Sequence, residues 1–252
     1  MSRPLPAPGP STRFRTLEAL LRDLGPEVRR GIPEPEWAPP CPTGLPELDR
    51  LLGGGLPRGR LAEIAGPPGA GCTTVALSLL AEATRRGEPV ALVDPGDAFD
   101  PLSARATGAD LHRILWIRTP RLDLALRSTE RVLEAGGFAL IVLDLGGPPP
   151  TGGPAGRRSR GGTRRHPSEA DWARLARAAS ASGSTLVVLA PERLPGSRAA
   201  VALELEAGSI RFSPSPGWLE GREIRARLAR LRAPAAGAHH LAVLRTSAPS
   251  PF

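Results

Sequence analysis

The run Gly66-Pro67-Pro68-Gly69-Ala70-Gly71-Cys72-Thr73-Thr74 restricts this chain more than any other feature, because of what flanks it. Leu61 to Ala65, just before it, is apolar and strand-length, and Thr73 to Arg86, just after it, has the apolar spacing of a helix. A strand, a Gly-rich turn and a helix in that order begin a parallel βα unit, whose free backbone N–H groups at the helix start can cradle phosphates. Parallel strands need long crossovers, so the chain must be α/β.

The remaining pattern agrees. Val90 to Asp94, Ile114 to Ile117, Ala139 to Leu143 and Thr185 to Leu189 read as further strands. Pro101 to Thr107, Leu122 to Glu134 and Glu169 to Ala181 read as helices between them, and the second places Leu126, Thr129 and Leu133 on one stripe. Beyond Ala199 the helical spacing stops. Val201 to Leu205, Ser209 to Phe212, Ile224 to Leu231 and His240 to Leu244 alternate as antiparallel strands do. The expected core is a mostly parallel sheet flanked by helices, ending in an antiparallel meander.

Ahead of the core, Ser11 or Thr12 can cap a helix whose apolar stripe is Phe14, Leu17, Leu20, Leu21 and Leu24, ended by Gly25 and Pro26. The proline density from Ile32 to Pro42 predicts an extended linker, with Trp37 as an anchor. The expected division is residues 1–42 for helix and linker, 43–246 for the core and 247–252 for a loose tail.

Composition narrows the partners. The net charge of +8 and pI near 11.3 favour anions such as nucleic acid. The chain has no Lys, Asn, Gln or Tyr, so all 33 basic residues are arginine, which is the mark of a GC-rich coding bias and discounts the charge as a sign of DNA binding. Two cysteines, Cys41 and Cys72, build no disulfide framework or four-thiolate metal site and read as buried, reduced thiols. With no run of membrane-spanning length and no apolar block at the N-terminus, a cytoplasmic location, beside the nucleoid if DNA is bound, is the expectation.

In a working phosphate loop of this spacing a lysine reaches the terminal phosphate oxygens and a hydroxyl holds magnesium. Gly66, Gly69, Gly71, Thr73 and Thr74 fit, and Asp144 at the end of an apolar strand fits the acidic magnesium partner, but Cys72 stands where the lysine belongs. With no lysine in the chain, none can be borrowed from elsewhere. Two readings stay open: a weak residual ATP and magnesium site, or a turn kept for packing.

The segments Thr43 to Asp49 and Leu52 to Ile64, leading into the loop, resemble bacterial RecA, and Val93-Asp94-Pro95-Gly96-Asp97-Ala98-Phe99-Asp100-Pro101 resembles the next RecA signature. The resemblance implies a RecA-like P-loop core without RecA's C-terminal domain. It also implies that Gly96 takes the place of the water-orienting glutamate, that Asp97, one residue along, faces elsewhere, and that the strand which in RecA ends in a sensing glutamine ends here near Ala190-Pro191. No hydrolysis is expected of such a site.

Gly146 to Pro167, after the Asp144 strand, corresponds to a RecA DNA-binding loop. Its Arg157, Arg158, Arg160, Arg164 and Arg165 either contact the phosphates of single-stranded DNA or form a solvated, bias-inflated insertion. The N-terminal helix resembles the one RecA packs on a neighbouring subunit; it either docks on a partner or folds onto its own core. A shortened RecA-like chain with degraded motifs resembles the ImuA family of translesion-mutagenesis accessory factors. That resemblance implies RecA or the polymerase-like ImuB as partner, a role in the SOS response to DNA damage and no resident cofactor. An ATP-dependent recombinase is the alternative, and a SulA-like division inhibitor a remoter one.

Overall fold

The computed structural model describes residues 39–147, 166–194, 198–214, 219–232 and 240–247. The chain divides into two units, Met1–Trp37 and Ala38–Phe252, and the described residues belong to the second. Its entry is a backbone bridge between Cys41 and Leu56, closed by hydrogen bonds of 2.7 and 2.8 Å. Between them lies α1 (Pro46–Leu52), started by a proline at its first turn and ended by Gly53 at φ 74°. The alternating part follows as β1 (Leu61–Ala65), α2 (Cys72–Arg85), β2 (Val90–Asp94), α3 (Pro101–Ala106), β3 (Ile114–Arg118), α4 (Leu122–Ala135), β4 (Leu140–Asp144), α5 (Glu169–Ser182) and β5 (Thr185–Ala190). Three longer strands close it: β6 (Val201–Phe212), β7 (Leu219–Leu231) and β8 (Leu241–Ser247).

The eight described strands share one sheet in the order β3-β2-β4-β5-β1-β6-β7-β8. The first six are parallel; β7 and β8 run antiparallel. Both faces of the parallel part are covered, and strand alternation assigns each residue to one of two cores. Leu140 and Val142 of β4 join Leu92, Ile64 and Val187 on the side of α2, whose Val75, Ala76, Leu79 and Leu80 are buried against them. Ile141 and Leu143 join Val93, Leu186 and Val188 on the other side, under α4 and α5 with Leu126, Leu133, Trp172 and Leu175. The caps follow local chemistry. Asp100 accepts from Leu102 N and Ser103 N at the start of α3, and Ser168 with Asp171 forms a capping box on α5.

Two sequence expectations need correction. Val201 to Leu205 and Ser209 to Phe212 are one strand, because a register shift between Ala207 and Ile210 absorbs the apparent break at Gly208 as a bulge. That strand pairs in parallel with β1, so the antiparallel extension starts only at β7. The helix α1 was not anticipated. No described helix is long and apolar enough to cross a membrane.

Candidate functional site

The central strands β1, β5 and β4 end together, and the segments leaving them enclose a pocket of about 300 Å³. Gly66 follows β1, Asp144 ends β4 and Ala190 ends β5, so the pocket lies off the carboxyl edge of the sheet, where α/β folds place ligands. Gly66, Gly69, Gly71, Cys72, Thr73, Thr74 and Asp144, the residues singled out in the sequence, all line it. Cys72 is the first residue of α2, so the free N–H groups of that helix open onto the pocket.

The loop is wedged against the antiparallel strands. A Cβ on Gly66 would lie 2.7 Å from the carbonyl oxygen of Leu205 in β6. One on Gly71, where φ is +106°, would lie 2.4 Å from Cδ1 of Ile224 in β7. These glycines therefore serve packing as well as any ligand.

The Cys72 thiol points back at the loop, with Sγ 3.9 Å from the Gly66 carbonyl. Burial, with the Asp144 charge adding to it, pushes the thiol up to about 11, so at neutral pH it is neither a cation nor a thiolate nucleophile. Cys41 is buried as expected, and Cys72 only partly so. Asp144 accepts a hydrogen bond from Gly146 N at 2.9 Å. Burial raises its carboxyl above the usual value of 3.8, opposed by the Gly146 N–H, with a lesser upward push from Asp94. Thr73 and Asp144 are the residues that would hold a magnesium ion carried in on phosphates. Among the described residues, no three His, Cys, Asp or Glu side chains gather as a metal site of their own.

The chain has no lysine to lend, yet a cation reaches the loop from another strand. Arg222 of β7 lines the pocket, and its Nη2 donates to the Gly69 carbonyl. Its Nε is buried without a hydrogen-bond partner. Arg222 is neither a lysine nor a sequence neighbour of the loop, lying 153 residues from Gly69. The same guanidinium also borders a second cavity of about 750 Å³, beyond Thr74, lined by Asp100, Ser103, Arg245 and Thr246.

The segment after β2 brings no carboxylate to the pocket. Asp94 is 1% exposed and turned inward, accepting from Ala98 N at 3.1 Å, Phe99 N at 2.9 Å and Trp116 Nε1 at 3.2 Å. From this segment Ala98 and Phe99 line the pocket, Phe99 packed edge-on to Trp116 at 5.2 Å. Asp97 takes positive φ at 51° and pairs with Arg118 at 3.7 Å, on the edge strand. The short stretch after β5 is tied to the sheet. Leu194 N donates to the fully buried carboxylate of Glu63 in β1, which also pairs with Arg193 at 3.5 Å. Desolvation raises the Glu63 carboxyl above 4.5 despite those partners. Two sets of expected site residues, Phe14, Leu17, Leu20, Leu21 and Leu24, and Arg157, Arg158, Arg160, Arg164 and Arg165, lie outside the described residues.

The chain is similar in sequence and fold to known proteins. The sequence model of the RecA N-terminal domain matches residues 38–147. The chain is 44% identical over 104 residues to Protein RecA of Symbiobacterium thermophilum, a match covering 41% of this chain and 30% of that one. To the chloroplastic DNA repair protein recA homolog 1 of Arabidopsis thaliana it is 35% identical over 138 residues, covering 52% of this chain and 31% of that one. The chain thus spans about a third of the length of these relatives. The crystal structure of the RadB recombinase superposes with a TM-score of 0.56 and 24% identity, over 81% of this chain and 94% of that one. The chain is RecA-like, and its fold is that of the RecA-like α/β proteins.

Proposed function

We propose that this chain is a non-hydrolysing RecA-like accessory protein of bacterial DNA-damage tolerance, of the ImuA kind, acting in the cytoplasm by binding partners. The observation that carries the reading is the pocket's chemistry: a neutral thiol sits at position 72, and the segment holding Gly96 contributes only Ala98 and Phe99. Attack of water on a phosphate needs a group that orients the water, and neither the thiol nor an apolar wall supplies one, whatever charge Arg222 brings. The relatives named for RecA and DNA repair support the setting.

The recombinase reading is separated from this one by turnover. ATP hydrolysis by the full chain should equal background with and without single-stranded DNA, measured as phosphate release. A DNA-stimulated rate that vanishes in Thr73→Ala would establish a recombinase-type ATPase instead. Cys72→Lys alone should tighten nucleotide binding and leave turnover at background, because the orienting carboxylate is still missing.

Residues 14–24 are proposed to carry the contact with RecA or with an ImuB-like polymerase subunit, and Arg157 to Arg165 a contact with single-stranded DNA. An apolar helical stripe is what a partner groove recognises. Deleting residues 1–25 should leave the melting temperature of the core within about 2 °C while abolishing pull-down of both candidate partners. A deletion that unfolds the core, or one that leaves capture intact, would move the partner surface elsewhere.

A further inference from the structure

We infer that Arg222 is the phosphate-recognising cation of the pocket, so that the loop accepts a polyphosphate although its lysine position is a thiol. This rests on the reading of the pocket as a binding rather than a hydrolysing site.

Three observations converge. The guanidinium stands at the tip of the loop, where Nη2 donates to the Gly69 carbonyl, and Arg222 borders the same cavity as the N-terminus of α2. It keeps unused donors: Nε is buried and has no partner, and no carboxylate pairs with Arg222 among the described residues. A buried N–H without an acceptor is costly, and the cost is relieved when an oxygen arrives. A planar fork with one arm fixed and others open suits an oxyanion with several oxygens, and it adds to the helix-start N–H groups.

The placement is also firm. Ile224, two residues along the same face of β7, fills the space over Gly71, and Thr246 of β8 holds the Arg222 carbonyl from the other side at 3.4 Å. The strand therefore carries the charge to the loop on a rigid support. At about 300 Å³ the cavity has room for the two linked phosphates of pyrophosphate or of a nucleoside diphosphate.

The test is calorimetric titration of the full chain with inorganic pyrophosphate and, separately, with ADP, neither requiring turnover. Wild type should bind; tighter binding of ADP than of pyrophosphate would make the nucleotide the source of the phosphates, and equal binding the free anion, both in support. Arg222→Gln keeps a donor for the Gly69 carbonyl but removes the charge, and should weaken both ligands by at least about tenfold at an unchanged melting temperature. Cys72→Lys in that background should restore binding, which a mere brace of the loop would not allow. Should the glutamine variant melt early, Arg222→Lys decides: binding kept by lysine supports the cation, and binding lost overturns it. No binding of either ligand to wild type, or binding unchanged in Arg222→Gln, also overturns the inference. Those outcomes leave the hydrolysis result untouched, and a DNA-stimulated ATPase would sink the adaptor reading without deciding the role of Arg222.

Discussion

Asp94→Ala should lower the stability of the core by about 3 kcal/mol, the sum of donors stranded when their shared acceptor is removed. Asp94 accepts from Ala98 N, Phe99 N and Trp116 Nε1, and at 1% exposure no water replaces its carboxylate from within. Ala98 is itself exposed, so its N–H can recover a water partner once the carboxylate is gone, and the full cost of three buried donors is not reached. Asp94→Asn keeps one acceptor oxygen and should lose about half as much. Urea unfolding, read as a shift in midpoint at constant slope, measures both. A loss below about 1 kcal/mol in the alanine variant would mean that Phe99 and Trp116, stacked edge-on, hold the segment without the carboxylate.

The same residue explains part of what could be read in advance. Strands β1 to β5 are short apolar runs between Gly, Pro and Asp, and helices α2, α4 and α5 carry a 3.6-residue stripe; both signals are local, and the expected Val90 to Asp94 matches β2 at both ends. The loop at Gly66 to Thr74 and the aspartate at the end of β4 are local too, so that half of the pocket was legible. The helix α1 is too short for a periodic stripe, and its Pro46 and Gly53 read as turn residues rather than as a first-turn proline and a left-handed cap. The break within β6 was misjudged because Gly208 looks like a turn until the partner strand shows a bulge. Arg222 had no local signal at all. A cation that meets its loop across the sheet is visible only once β6 and β7 are laid beside β1, and then as one of two residues, with Ile224, on the face turned to the loop.

That pair gives the other large effect. Gly71→Ala should cost about 3 kcal/mol and detach the loop from β7, through two separable causes. One is backbone strain: Gly71 has φ +106°, a region side chains rarely adopt, which accounts for about 1–2 kcal/mol. The other is contact: the new Cβ would fall 2.4 Å from Cδ1 and 2.7 Å from Cγ1 of Ile224, a side chain with 0% exposure and little room to turn. Ile224→Ala removes those atoms and by itself should cost about 2–4 kcal/mol through the cavity left behind. In the Ile224→Ala background, Gly71→Ala should then cost only the backbone part. The cycle should give a coupling of about 1–2 kcal/mol that offsets the sum of the single losses. Strict additivity would show that the loop is not seated on β7, and the rigid support argued for Arg222 would go with it. The coupling, measured by urea unfolding of the four chains, thus bears on the site and on the packing at once, because on this strand one face makes both.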